Sequence, residues 1–231
     1  MRLRGWLFSV VFTAGMVSAG SACGVAGEID AAQRARASMV VVSSKLTATS
    51  EAIGAGVVVA VQPQRIRVVT ARHVAEHGPV SIWVNGRPWP AAIVRTFPDR
   101  DLAVVDAMGP DLGALRVAPA TLAPAPAAGS PLYVWGEDAI GLHVEDARLV
   151  TTALPAAGTG GRRKLLSIAC ASCAPGDSGG GIFNGDGALL GILTARYRAA
   201  DGGIVAVVGE PLDASVFMTG DGPFDAFAGT P

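Results

Sequence analysis

The sequence predicts an all-β chain built as two similar β-barrels or sandwiches, and three observations carry that reading. The 231 residues include 30 Gly and 15 Pro, a punctuation load that favours short strands with many turns over long helices. Short β-branched runs recur at close spacing along the body. A Pro/Ala-rich connector at 119–129 (PATLAPAPAAG) divides these runs into two sets of about six. Half of the residues are hydrophobic and only 16% are charged, which excludes disorder as the state of the main body. The mean hydropathy is +0.43, but most of it comes from Ala and Val spread along the chain. The one uncharged apolar stretch lies at the N-terminus.

The first set of expected strands covers residues 39–43, 56–61, 66–70, 80–84, 92–96 and 102–105. The second covers 132–135, 144–152, 165–169, 181–183, 189–195 and 204–208. Each is rich in Val, Ile or Leu and is bounded by turn-forming residues. One unit therefore spans about 38–118 and the other about 130–215. No fixed-period repeat is visible. Residues 212–218 are expected to form a short closing helix and 219–231 a loose tail.

The N-terminus reads as an address. Arg2 and Arg4 precede an uncharged apolar core at 5–17 (GWLFSVVFTAGMV), followed by small residues at 18–22. This is the layout of a secretory signal peptide over 1–22, and the core is short for a membrane span. Cleavage after Ala19 or Ala22 suits the preference for small residues; an uncleaved anchor is the alternative. Cys23, after a small residue, resembles a bacterial lipoprotein processing box, although Gly20 stands where that box carries an aliphatic residue. Residues 23–37 then form an N-terminal linker. Export places the chain in the periplasm, the cell envelope or the medium, where a disulfide is permitted. Cys170 and Cys173 are the two cysteines within one segment, and they read as a local disulfide or two free thiols. No second pair of ligands accompanies them, so a structural zinc site is not expected.

With 18 Lys+Arg against 19 Asp+Glu the net charge is −1, which gives no electrostatic reason to bind nucleic acid or an anionic membrane. Three segments carry chemistry instead. VVTARHV at 68–74 places His73 just after a β-branched run, DRDLAVV at 99–105 places Asp101 at the start of another, and PGDSGGG at 175–181 places Ser178 in a glycine-rich turn. A serine hydroxyl is a poor nucleophile at neutral pH and needs a base within hydrogen-bond reach. The base in turn needs a carboxylate to fix its tautomer. Glycines let the backbone turn so that successive N–H groups point at one spot, as an oxyanion hole requires. Asp99 and Asp106 compete for the acidic role, but Asp99 is more simply a turn residue and Asp106 lies beyond the DLA context. His77 and His143 read as surface or turn histidines.

With these motifs in the order His, Asp, Ser, the sequence resembles the trypsin-like serine peptidases, above all their short bacterial members and the HtrA protease domain. The intervals are 28 residues from His73 to Asp101 and 77 from Asp101 to Ser178. GAGVV at 54–58 resembles the family's strand ahead of the histidine, and GILTA at 191–195 the strand against which a substrate backbone pairs. The resemblance covers about 38–215, within a peptidase domain at 38–218, and implies two six-stranded antiparallel barrels with the active site in the cleft between them.

The resemblance implies roles residue by residue. Ser178 is the nucleophile, His73 the general base and then acid, and Asp101 the group that orients His73. The N–H groups of Gly176 and Ser178 form the oxyanion hole. Ser172, six before the nucleophile, and Leu193, Thr194 and Ala195 line the substrate site. Without a carboxylate at Ser172, a small or medium apolar P1 residue is expected rather than Arg or Lys. The reaction needs no metal or cofactor, the partner is a protein or peptide substrate, and no PDZ domain follows, so a monomer is expected. Arg72 departs from the family by standing where a small residue is usual. No activation site is recognisable, so Asp177 needs an internal partner, an Arg or backbone N–H groups. The function expected is an exported serine endopeptidase. Alternatives are a silent or ligand-gated binding module of the same fold, and an esterase using the same triad.

Overall fold

A computed structural model describes residues 22–138, 141–156, 163–198, 204–213 and 216. The expected signal peptide up to residue 21 and the tail from 219 lie outside the described residues. Among the described residues, no helix is long and apolar enough to cross a membrane.

The residues expected as a linker form a helix, α1 (Ala22–Ala37). Its sequence is Ala-rich, with Arg34 and Arg36 in the last turn, where cations complement the helix dipole. Ala31 and Ala35, one turn apart, are buried. Small side chains bring the helix backbone close to the body: a Cβ on Gly187 would stand 2.5 Å from the Ala31 carbonyl oxygen. The Arg34 guanidinium donates to the Asp186 carbonyl (2.9 Å), and Arg36 lies over the Trp135 ring at 5.8 Å.

The first barrel contains β1 (Met39–Lys45), β2 (Glu51–Gln62), β3 (Arg65–Thr70), β4 (Val80–Val84), β5 (Arg87–Thr96) and β6 (Ala103–Met108). They close in the order β1-β2-β3-β6-β5-β4, all antiparallel. The second contains β7 (Pro131–Asp138), β8 (Gly141–Pro155), β9 (Lys164–Ala169), β10 (Gly181–Asn184), β11 (Leu189–Arg198) and β12 (Ile204–Pro211). It closes as β10-β11-β12-β9-β8-β7. Closure leaves neither sheet with a free edge. Every expected strand run falls within or overlaps one of these elements. The closing helix expected at 212–218 lies largely outside the described residues; Val216 N–H donates to the Asp213 carbonyl in a single turn.

Apolar runs without alternation have a physical cause here. On β3 and β6, Ile66, Val68 and Val105 fill the first barrel, while their neighbours Val69 and Val104 face the second. Val58 and Val57 on β2 divide in the same way. The outward residues join Phe97, Leu102, Trp135, Phe183, Leu189 and Ile192 in one buried layer between the barrels. Strands buried on both faces lose the polar half of the period-2 pattern. The connector is also part of this layer. Ala120 N–H donates to the Val58 carbonyl of β2 (2.8 Å) and Ala123 N–H to the Leu189 carbonyl of β11 (3.1 Å).

Asp106, a competitor for the acidic role, is committed elsewhere. It faces Arg67 directly across the β3–β6 ladder, with Arg67 Nε 2.7 Å from Oδ1 and a second guanidinium nitrogen 2.8 Å from Oδ2. Both residues are buried. Cys170 and Cys173 stand 5.6 Å apart at Cα, within reach of a local disulfide.

Removing one member of a buried pair strands the other charge. Arg67→Met is expected to destabilise the fold by about 3–5 kcal/mol, read as a lower denaturant midpoint. Asp106→Asn is expected to lower it too, whereas the exposed Asp186→Asn is expected to leave it nearly unchanged.

Candidate active site

The end of β3 and the start of β6 are partners in the ladder, with Thr70 opposite Ala103. That register brings together the residues just beyond them. After Thr70 the chain passes through extended Ala71 into a single turn, α2 (Arg72–Ala75). Val74 and Ala75 are buried there, and the His73 side chain stays 43% exposed. Asp101 lies in the turn before β6, and His73 uses both of its carboxylate oxygens. The His73 backbone N–H donates to Oδ1 (3.1 Å), and Nδ1 meets Oδ2 at 2.6 Å. Arg72 N–H donates to the Asp101 carbonyl (3.3 Å). The Arg72 side chain turns along the helix to Glu76, with Nε 3.2 Å from Oε2.

With Nδ1 bound to a carboxylate, the neutral ring keeps its proton there and leaves Nε2 as the acceptor. The Asp101 hydrogen bond holds the His73 pKa above its ordinary 6.5 against the opposing effect of burial. Burial pushes the Asp101 carboxyl up, but the hydrogen bond and charge of His73 outweigh it and hold the carboxyl below its ordinary value.

Ser178 comes from the second barrel, on the loop between β9 and β10. Gly179 N–H donates to the Leu193 carbonyl (2.8 Å), Leu193 N–H to the Gly180 carbonyl (2.8 Å), and Gly180 N–H to the Asp177 carbonyl (2.9 Å). The loop touches the first barrel where Ala55 N–H donates to the Ser178 carbonyl (2.9 Å). This approach needs glycine on both sides. A Cβ on Gly54 would stand 2.5 Å from the Ser178 carbonyl oxygen and 2.9 Å from a Val74 methyl. Gly179 has φ +86°, and its Cβ would stand 2.1 Å from the Ala55 carbonyl oxygen. Gly54 thus separates the serine loop from the helix that carries His73. Among the described residues, the N–H groups of Gly176 and Ser178 meet no protein acceptor, and no hydrogen bond joins Ser178 Oγ to His73.

Asp177 is fully buried, and its surroundings correct the sequence reading of His143. The Ala174 N–H donates to Asp177 Oδ2 (2.5 Å), the backbone partner expected. On the other side, His143 Nε2 lies 3.1 Å from Asp177 Oδ1. His143 is no surface or turn residue: it lies on β8 opposite Gly136 of β7, with its side chain only 23% exposed. A Cβ on Gly136 would overlap Asp177 Oδ1 at 2.0 Å, so the missing side chain makes room for the carboxylate. A glycine in the middle of the strand run VWGED marks such a close approach and is the signal that locates this pocket. Asp138 (3.7 Å) and Glu145 (3.8 Å) also face the imidazole. Burial, with the charges of Asp138 and Asp177, raises the Glu137 pKa against the opposing His143.

The expected substrate-binding residues divide. Ser172 is exposed, and its hydroxyl bonds to the Glu145 carboxylate. Leu193 is buried, and both of its backbone groups are spent on the serine loop. At Thr194 a bulge interrupts the β11–β12 ladder between Leu193 and Ala195, which takes the Thr194 backbone out of the pairing. A groove of about 650 Å³ opens beside the site, lined by Ile53, Trp83, Glu137 and Leu142 among others, and does not include His73, Asp101 or Ser178.

Two closed six-stranded antiparallel barrels, with the His–Asp pair on the first and the glycine-bound serine loop on the second, have the architecture of the double-barrel peptidases. The family model for the trypsin-like peptidase domain matches residues 54–192, and the chain belongs to that family. Among solved structures it is similar to the HtrA-type protease AlgW with a tripeptide, at 21% identity and a TM-score of 0.66. That likeness covers 80% of this chain and 59% of AlgW. It is also similar to the Rv3671c protease from M. tuberculosis in its active form, at 24% identity and a TM-score of 0.62, covering 90% of both chains. At these identities the likeness establishes the fold. Comparison with curated proteins gives no match.

The His73 imidazole is expected to titrate above 6.5 by NMR, and Asp101→Asn is expected to bring that titration down. The sign for stability follows from both shifts. The pair's contribution is fully present between about 3.8 and about 6.5, the ordinary values of the two groups. It is lost above this window as pH rises through the raised His73 value, and below it as pH falls through the depressed Asp101 value. Unfolding midpoints across pH check the window.

Proposed function

We propose that this trypsin-like peptidase is an exported serine endopeptidase that cleaves peptide bonds through Ser178, His73 and Asp101. The observation that carries the reading is the use of both Asp101 oxygens by His73, which leaves Nε2 as the base. In the first half-reaction Ser178 Oγ attacks the carbonyl carbon of the substrate while its proton passes to His73 Nε2. The N–H groups of Gly176 and Ser178 receive the developing oxyanion. The imidazolium then protonates the leaving amine, and water hydrolyses the acyl-enzyme by the same route. The AlgW structures carry a tripeptide and a decapeptide, in keeping with a peptide as the ligand here. P1 is small or medium and apolar, with the Glu145 carboxylate engaged by Ser172. Cleavage of residues 1–22 on export, the Cys170–Cys173 disulfide and a monomeric state belong to the same reading.

A second reading has one observation in its favour. The missing hydrogen bond between Ser178 Oγ and His73 among the described residues suits a site that closes only when a ligand arrives.

Labelling with a fluorophosphonate probe separates the two. Wild-type protein is expected to label without added ligand, with the rate rising with pH through a midpoint above 6.5 as His73 loses its proton. Ser178→Ala is expected to abolish labelling, and His73→Ala to slow it by about 10²–10⁴-fold. Folded wild-type protein that stays unlabelled supports the ligand-gated module. Turnover of activated esters without cleavage of any protein supports an esterase.

A further inference from the structure

We propose that Glu210 is a positioning residue that acts through Arg100 on Asp101, a role that rests on the peptidase reading above. Arg100 directly precedes Asp101 and closes the turn that carries it, with its N–H donating to the Phe97 carbonyl (3.1 Å). Its guanidinium lies 5.7 Å from the Phe97 ring centre and reaches across to the second barrel. Nε lies 3.4 Å from Glu210 Oε2 on β12, and a terminal nitrogen donates to the Pro211 carbonyl. The other terminal nitrogen lies 3.8 Å from Asp213.

Glu210 is only 1% exposed, and its second oxygen accepts from Arg163 (2.7 Å). A carboxylate this deep is costly unless it is paired, so these cations are held to it rather than to solvent. The contacts from Asp101 to His73 lie wholly within the first barrel, whereas Ser178 belongs to the second. The Arg100–Glu210 pair therefore ties the acidic end of the triad to the barrel that supplies the nucleophile. A small displacement of Asp101 loosens the 2.6 Å contact that orients the imidazole, with the largest cost in the chemical step.

The test uses Glu210→Gln and Arg100→Gln, with Arg100→Lys as the conservative variant, in the full chain with folding checked by circular dichroism. Both Gln variants are expected to slow fluorophosphonate labelling by about 10–100-fold, and kcat is expected to fall with KM little changed. The His73 titration is expected to move down toward 6.5 in both, with Arg100→Lys between them and wild type. The double variant is expected to match the single ones, because the two residues act as one unit. Unfolding at a lower temperature with the His73 titration unmoved, or additive effects in the double variant, overturns the proposal in favour of a plain staple between barrels. Should Glu210→Gln fail to fold, the more accessible Arg100 variants decide by the same titration. That titration needs no turnover. A wild type that does not label therefore defeats the peptidase reading alone, while an unmoved His73 defeats this one.

Discussion

The hydrogen bond from Ala55 N–H to the Ser178 carbonyl is the contact on which the site depends. It is made between the backbones of two separate barrels, and at 2.9 Å it leaves no room for side chains beside it. Gly54 and Gly179 supply that room, and Gly179 also takes up the left-handed conformation that turns the loop. Everything chemical is placed relative to this seam. Val74, packed against Gly54, holds the helix of His73 on one side, and Leu193 holds the serine loop on the other. The broad apolar layer of Val57, Val69, Val104, Phe183 and Ile192 keeps the barrels in this relation.

Around the seam, buried charge is managed in three different ways. Asp106 is answered within its own ladder by Arg67, a structural pair remote from the chemistry. Asp177 accepts from the Ala174 N–H and lies 3.1 Å from His143 Nε2, both contacts within the second barrel. Glu210 is answered partly from the other barrel, by Arg100. In each case the carboxylate lies where apolar burial is deepest and the loss of a partner costs most. Asp101 differs from these three. It stays partly exposed and spends both oxygens on His73.

The loop that carries Ser178 rests on the same strands. Gly176 packs its α-carbon against the Glu137 carbonyl, and Asp177 lies over Gly136, so two adjacent residues of β7 underlie two adjacent residues of the loop. The same strand faces His143 across the ladder. The conformation of the loop therefore depends on β7 and β8 as well as on the loop's own glycines.

The sequence by itself determined the strands and the three motifs, because both are local. β-Branched runs between turn residues read as strands wherever they occur, and His73, Asp101 and Ser178 each stand in a short string whose chemistry depends on near neighbours. The glycines of PGDSGGG were legible as a tight turn, but the close approach of Gly54 and Gly179 to their neighbours was not. Only the tertiary structure decided the partners. His143 meets Asp177 because β8 pairs with β7 in a register that puts it opposite Gly136. Arg100 meets Glu210 across 110 residues of sequence because the turn before β6 packs against β12 of the other barrel. Residues 23–37, read as a linker, fall within α1, with Ala31 and Ala35 buried and Ala31 beside Gly187. The physical reason is common to all three. Local propensity depends on a residue and its neighbours along the chain, whereas burial and charge pairing depend on the register and closure of strands far apart in it.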